Sequence, residues 1–125
     1  MKTAKDFLDE ANAVVPKLST EDAIALHQEG GAVFVDVRDS GQIATSGTVA
    51  GAERITRGMI EFMADETHPL HNASMQKDAK VALICAAGGQ AALAGKTLVD
   101  MGYTDVVNVG GFPAWKDAGG PSEAG

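Results

Sequence analysis

The sequence predicts an α/β domain in which a mostly parallel sheet carries helices on both faces. Three observations lead there. Short apolar, β-branched runs recur at 32–37 ("AVFVDV"), 81–85 ("VALIC") and 105–109 ("DVVNV"). Segments with helical spacing lie between and around them, and only a few residues join one to the next. Such alternation implies right-handed crossovers and buried parallel strands, whose ligands gather at the carboxyl ends.

From the amino end, "TAKDFLDEANAVV" offers Thr3 as N-cap with Asp6 three residues on. Phe7, Leu8, Ala11, Val14 and Val15 then form an apolar stripe, and Pro16 ends the helix. "STEDAIALHQEGG" repeats the pattern, with Ser19 and Asp22 as a capping box and Gly30 as a left-handed stop. "AVFVDV" is the first strand. "RDSGQIATSGTVAGAERI" is turn-rich and predicts loops before a short extended piece near Ile55. "GMIEFMADE" predicts a helix and "THPLHNASMQKD" a polar surface excursion. After the strand "VALIC", "AALAGKTLVDMG" predicts a helix stopped by Gly102. "DVVNV" is the third strand, and "GGFPAWKDAGG" gives a short closing helix anchored in the core by Phe112 and Trp115. The 125 residues predict one domain, with 1–17 as a helical extension and 122–125 as a frayed tail.

Bulk properties narrow the function. The net charge of −7 and the lack of a basic stripe argue against nucleic acid. No apolar run approaches the roughly 20 residues a membrane helix needs, and the first residues lack the uninterrupted apolar stretch of a secretion signal. A cytoplasmic protein that engages no membrane is the expectation. One cysteine excludes an internal disulfide and any paired-cysteine metal or redox site. His68 and His71 have no further ligand at metal spacing, and no GxGxxG occurs, so neither a metal nor another cofactor is expected.

That cysteine, Cys85, closes the strand "VALIC" and opens "CAAGGQ". A lone cysteine ending an apolar strand is often a small buried hydrophobe. The context favours a nucleophile. Gly88 and Gly89 allow a tight loop whose N–H groups turn inward, and the following helix adds its unpaired N–H groups and positive end. Together they form an anion nest facing the thiol, which favours the thiolate. A cysteine-dependent phosphatase would also need an arginine six positions on to grip phosphate. That position is Ala91, and no arginine follows Cys85 at all. Sulfur transfer asks less, because backbone amides suffice to stabilise a persulfide.

Other charged residues have two readings. Asp36 and Arg38, at the end of the first strand, are either on a pocket rim or, preferably, a buried ion pair that anchors the loop. Arg57, near Arg54 and Glu61, either brings positive charge over the sulfur or is a solvated side chain.

Several separated motifs now resemble one family. "FVDVRDSGQIATSGTVAGA" is similar to the segment in which single-domain rhodaneses have an aspartate–valine–arginine strand end, then a glycine–histidine–isoleucine–proline–glycine–alanine turn. "ICAAGGQAALAGKTLVDMGYTDVVNVGGFPAW" resembles their active-site loop, helix, next strand and closing glycine–glycine–phenylalanine–x–alanine–tryptophan signature. "TRGMIEFMAD" matches a segment of one subgroup, and the similarity runs from about Leu18 to Pro121. The resemblance implies a three-layer α/β/α fold around a five-stranded, mostly parallel sheet. It implies Cys85 as catalytic sulfur carrier, with the amides of Ala86, Ala87, Gly88, Gly89 and Gln90 as its cradle. Asp36, Arg38 and Arg57 would be rim candidates. The implied partners are a small donor such as thiosulfate or a mercapto-acid, and a thiol, cyanide or protein acceptor. This sequence departs from the family where arginine often follows the cysteine (Ala86), where relatives end the loop with arginine (Gln90), and at the turn's histidine (Thr48) and proline (Ala50). The loop is neutral in its side chains, which keeps a second reading open: a persulfide carrier or protein-binding module without turnover. A phosphatase-like binder is a third.

Overall fold

A computed structural model describes residues 1–125. In chain order the elements are α1 (Ala4–Val14), α2 (Thr20–Glu29), β1 (Ala32–Asp36), α3 (Ser40–Ser46), β2 (Thr48–Val49) and β3 (Glu53–Arg54). A 3-10 turn (Arg57–Met59) leads into α4 (Ile60–Met63). Then follow β4 (Lys80–Cys85), α5 (Gly89–Asp100), β5 (Asp105–Gly111), α6 (Phe112–Asp117) and β6 (Ser122–Glu123). The main sheet has the order β3-β1-β4-β5, all parallel, so β1 and β4 are the central strands.

The expected layering holds, and strand parity explains it. Side chains alternate across a strand. Val81, Leu83 and Cys85 therefore face one layer, where they pack with Ala91, Ala94 and Leu98 of α5 and with Val15. Ala82 and Ile84 face the other, with Ala23 of α2 and with Phe112 and Trp115 of α6. Both aromatic anchors are buried as expected. Helix α1 lies against α5, and Gly95 permits it: a β-carbon there would sit 2.9 Å from both Val15 methyl carbons.

The main sheet has four strands, not five. Beside β5, where a fifth would lie, the pairing shrinks to one parallel bridge between Lys17 and Asn108. Pro16 precedes Lys17 and has no N–H to extend a ladder. Meanwhile β2 leaves the main sheet and pairs antiparallel with β6. The tail was expected to fray; instead Ser122–Glu123 is a strand, and Glu123 accepts from the Gly51 N–H while its carboxylate meets Arg54. Nothing in the composition of "PSEAG" announces this pairing, because the partner is Thr48–Val49, far away in sequence.

Two local readings also change. The turn-rich stretch after β1 contains helix α3. Asp39 caps it by accepting from the Gln42 N–H at 3.0 Å, Ile43 is its one buried residue, and Gly47 closes it at φ 82°. Apolar periodicity cannot detect a two-turn helix with a single buried residue. Conversely, the helix expected over "GMIEFMADE" is only a 3-10 turn and four α-helical residues. The Thr3–Asp6 capping box is complete, whereas at Ser19 only the serine half forms. No helix is long and apolar enough to cross a membrane.

Candidate active site

Cys85 is the last residue of β4, at the carboxyl edge of the parallel sheet. Parity turns its side chain toward α5, and the loop 86–88 brings the first turn of that helix over it. The Gly88 N–H donates to the sulfur at 2.9 Å and the Ala91 N–H at 3.4 Å. Gly88 has the left-handed φ of 98°, which a side chain would strain. Because its first N–H groups have no intrahelical acceptor, α5 can spend one on the sulfur, and its positive end favours negative charge there.

The cradle is therefore narrower than expected. Of the five expected loop residues, Gly88 alone binds the sulfur through its amide, and Ala91, one residue beyond the expected set, supplies the second bond. The N–H groups of Gly89 and Gln90 belong to the first turn of α5 but do not reach the sulfur. Ala86, Ala87 and Gln90 are exposed, while Cys85 itself is 1% exposed. The thiol is thus roofed by the loop that holds it.

Beside Ala86 opens a cleft of about 510 Å³, also lined by Arg38, Asp39, Gln42, Thr45 and Pro113. A second groove, about 630 Å³, runs between α1 and α5 from Gly89 past Leu93 and Thr97 to Lys96 and Arg57.

Asp36 and Arg38 form the buried ion pair. Asp36 is fully buried, and its carboxylate accepts from the Arg38 backbone N–H, from the guanidinium (2.7 Å at the closest) and from the Thr48 hydroxyl at 2.8 Å. Arg38 also donates to Ser46 Oγ and to the Gly47 carbonyl, and stacks 4.8 Å from the centre of the Phe112 ring. Its charge is committed, although its edge lines the cleft; Asp36 reaches no rim. Arg57 does not stand over the sulfur. Its guanidinium donates to Glu61 at 3.1 Å and to Thr97 at 3.1 Å, and Thr97 lies two turns along α5 from the sulfur. His68 and His71 bind neighbouring backbone, and no group of residues is arranged to hold a metal ion.

Sequence reasoning missed Asn108. This β5 residue is fully buried, donates through Nδ2 to the Gly88 carbonyl at 2.9 Å, and accepts at Oδ1 from the Gly110 N–H at 2.8 Å. Its signal was present: a lone amide inside the apolar run "DVVNV", where burial without partners costs about 1–3 kcal/mol.

Comparison with known proteins agrees with this fold. A model of the family described as Rhodanese-like domain matches residues 19–118. The thiosulfate sulfurtransferase GlpE of Pseudomonas putida is 33% identical over 101 residues, covering 80% of this chain and 84% of that one. Among solved structures, a Rhodopseudomonas palustris protein of unknown function, described as a possible tyrosine phosphatase, superposes with a TM-score of 0.93 at 44% identity, covering 98% and 96% of the two chains. The polysulfide-sulfur transferase of Wolinella succinogenes, a homodimer, gives 0.75 at 29% identity over 94% and 85%.

Proposed function

The chain belongs to the rhodanese-like domain family, and from that membership we propose that it is a sulfurtransferase that moves a sulfane sulfur through a persulfide on Cys85. The observation that carries this reading is the pair of backbone N–H groups, from Gly88 and Ala91, aimed at the sulfur of the only cysteine. With thiosulfate as donor, the Cys85 thiolate attacks the outer sulfur. The sulfur–sulfur bond of the donor breaks, sulfite leaves with the electron pair, and Cys85 holds a persulfide. An acceptor thiol then attacks the outer sulfur, becomes a persulfide itself, and returns Cys85 to the thiolate. In that second step the leaving group is the Cys85 sulfur, and the same two N–H bonds stabilise it as charge returns.

The outer sulfur extends about 2 Å beyond the first. The resting thiol is 1% exposed, and the cleft lined by the exposed Ala86 is the approach for the donor. No cofactor enters this chemistry.

The test is mass spectrometry of the intact protein after incubation with thiosulfate, a mercapto-acid or polysulfide, followed by cyanide. Gain of one sulfur that cyanide removes, and that Cys85→Ser abolishes, is the expected result. Persulfide formation without turnover would instead favour the carrier module, the reading supported by the neutral side chains at Ala86 and Gln90. Phosphatase chemistry is disfavoured. The position that would hold the phosphate-gripping arginine is Ala91, whose side chain is buried and whose N–H already binds the sulfur.

A further inference from the structure

The Asn108 side chain ties the loop after Cys85 to the carboxyl end of β5. Its donor end holds the carbonyl of Gly88 and its acceptor end the N–H of Gly110. Its backbone is tied too: the Asn108 N–H donates to the Pro16 carbonyl at 2.8 Å, and the Leu18 N–H donates to the Asn108 carbonyl at 3.0 Å. An apolar residue would keep these backbone bonds and bury no polar side-chain atoms in β5, so the amide needs a reason to be there.

Gly88 supplies one. With no β-carbon it can rotate through many backbone states, and only one of them points its N–H at Cys85. Its carbonyl accepts twice in this state, from Asn108 and from the Ala92 N–H at 3.0 Å. The Ala92 bond alone ties Gly88 to its own helix; the Asn108 bond ties it to the sheet that carries Cys85. We propose that Asn108 is a positioning residue for the Cys85 site, fixing Gly88 in the conformation whose N–H stabilises sulfur anion. The inference rests on the sulfur-carrier reading for its biological meaning but not for its test.

The test compares Asn108→Ala with Val109→Ala, a truncation of the next buried residue of the same strand, which touches neither side-chain hydrogen bond of Asn108. The rate of Cys85 alkylation by iodoacetamide is followed from mildly acidic to alkaline pH in the full chain. Asn108→Ala should lower the rate about tenfold at mildly acidic pH and much less at alkaline pH, the loss of one hydrogen bond to a charged sulfur, while Val109→Ala keeps the wild-type curve. Curves of the same shape for both variants overturn the proposal. Should Asn108→Ala fail to fold, hydrogen exchange in the wild type decides. The Asn108 side-chain N–H held by Gly88 should exchange far more slowly than a free carboxamide; exchange at the free rate overturns the proposal. Persulfide formation by the wild type is scored separately. A moved curve in a protein that takes no sulfur keeps the positioning role and removes the sulfurtransferase reading; sulfur uptake with an unmoved curve does the reverse.

Discussion

The carbonyl oxygen of Ala86 sits against Gly111 so closely that a β-carbon on Gly111 would lie 2.2 Å from it. The loop after Cys85 and the carboxyl end of β5 thus share one surface, and only a residue without a side chain fits between them. The neighbouring glycine has a different reason. Gly110 has open space around it but a left-handed φ of 87°, whereas Gly111 is extended at φ −99° and ψ 146°.

Gly111→Ala should therefore push the Cys85 loop off its seat. A loss of about 1–3 kcal/mol is expected, as for overpacking elsewhere, together with a large fall in Cys85-dependent sulfur transfer. Gly110→Ala should cost about 1–2 kcal/mol in backbone strain and leave the loop seated. Denaturant midpoints and alkylation rates for both variants check the contrast. Equal loss of Cys85 reactivity in the two would contradict it.

Asp36→Asn should be costly, because it leaves the Arg38 guanidinium buried without its counter-charge. Breaking such a pair costs about 3–5 kcal/mol, read as a lowered urea midpoint at constant slope. Arg38 also holds Ser46 at the cleft, so KM for the donor should rise in whatever fraction stays folded.

Gln90→Arg is expected to raise kcat/KM for thiosulfate severalfold, about the effect of one charge-assisted hydrogen bond. Gln90 is exposed in the first turn of α5 and no side chain of the loop carries charge. A gain confined to anionic donors, fading at high salt, is the signature. An unchanged rate would show that the missing charge does not limit the reaction.

Tyr103, the only tyrosine, donates from its hydroxyl to the Ala64 carbonyl at 2.9 Å. Burial, with Glu66 and Asp65 nearby, pushes its phenol from 10.0 up to about 12. The sign follows from the neutral form being the one the fold accepts. Its contribution is fully present below the unfolded value and is lost as pH rises from 10 toward 12. A spectrophotometric titration should show one phenol ionising near 12 in the folded protein, with alkaline unfolding in the same range. Ionisation near 10 would place the ring in solvent.

Much of this was legible before any coordinates. The runs at 32–37, 81–85 and 105–109 are strands because β-branched residues buried on both faces leave few alternatives, and the Asp36–Arg38 pair follows from two charges at a buried strand end. Strand parity and the glycines of "CAAGGQ" likewise brought Cys85 under the first turn of α5. What the sequence could not decide depended on partners distant along the chain. Arg57 read equally well as charge over the sulfur or as a solvated side chain until the packing of the 3-10 turn against α5 gave it Thr97 as a partner. The tail became a strand only because β2 lay within reach. Asn108 took its meaning from Gly88, twenty residues back and on another loop. Local propensity and periodicity determine which segments are helix or strand, because those energies lie within a few residues. Which N–H meets the sulfur, and which charge is already taken, is decided by contacts across the whole fold, because a hydrogen bond forms only where tertiary packing brings both partners within about 3 Å.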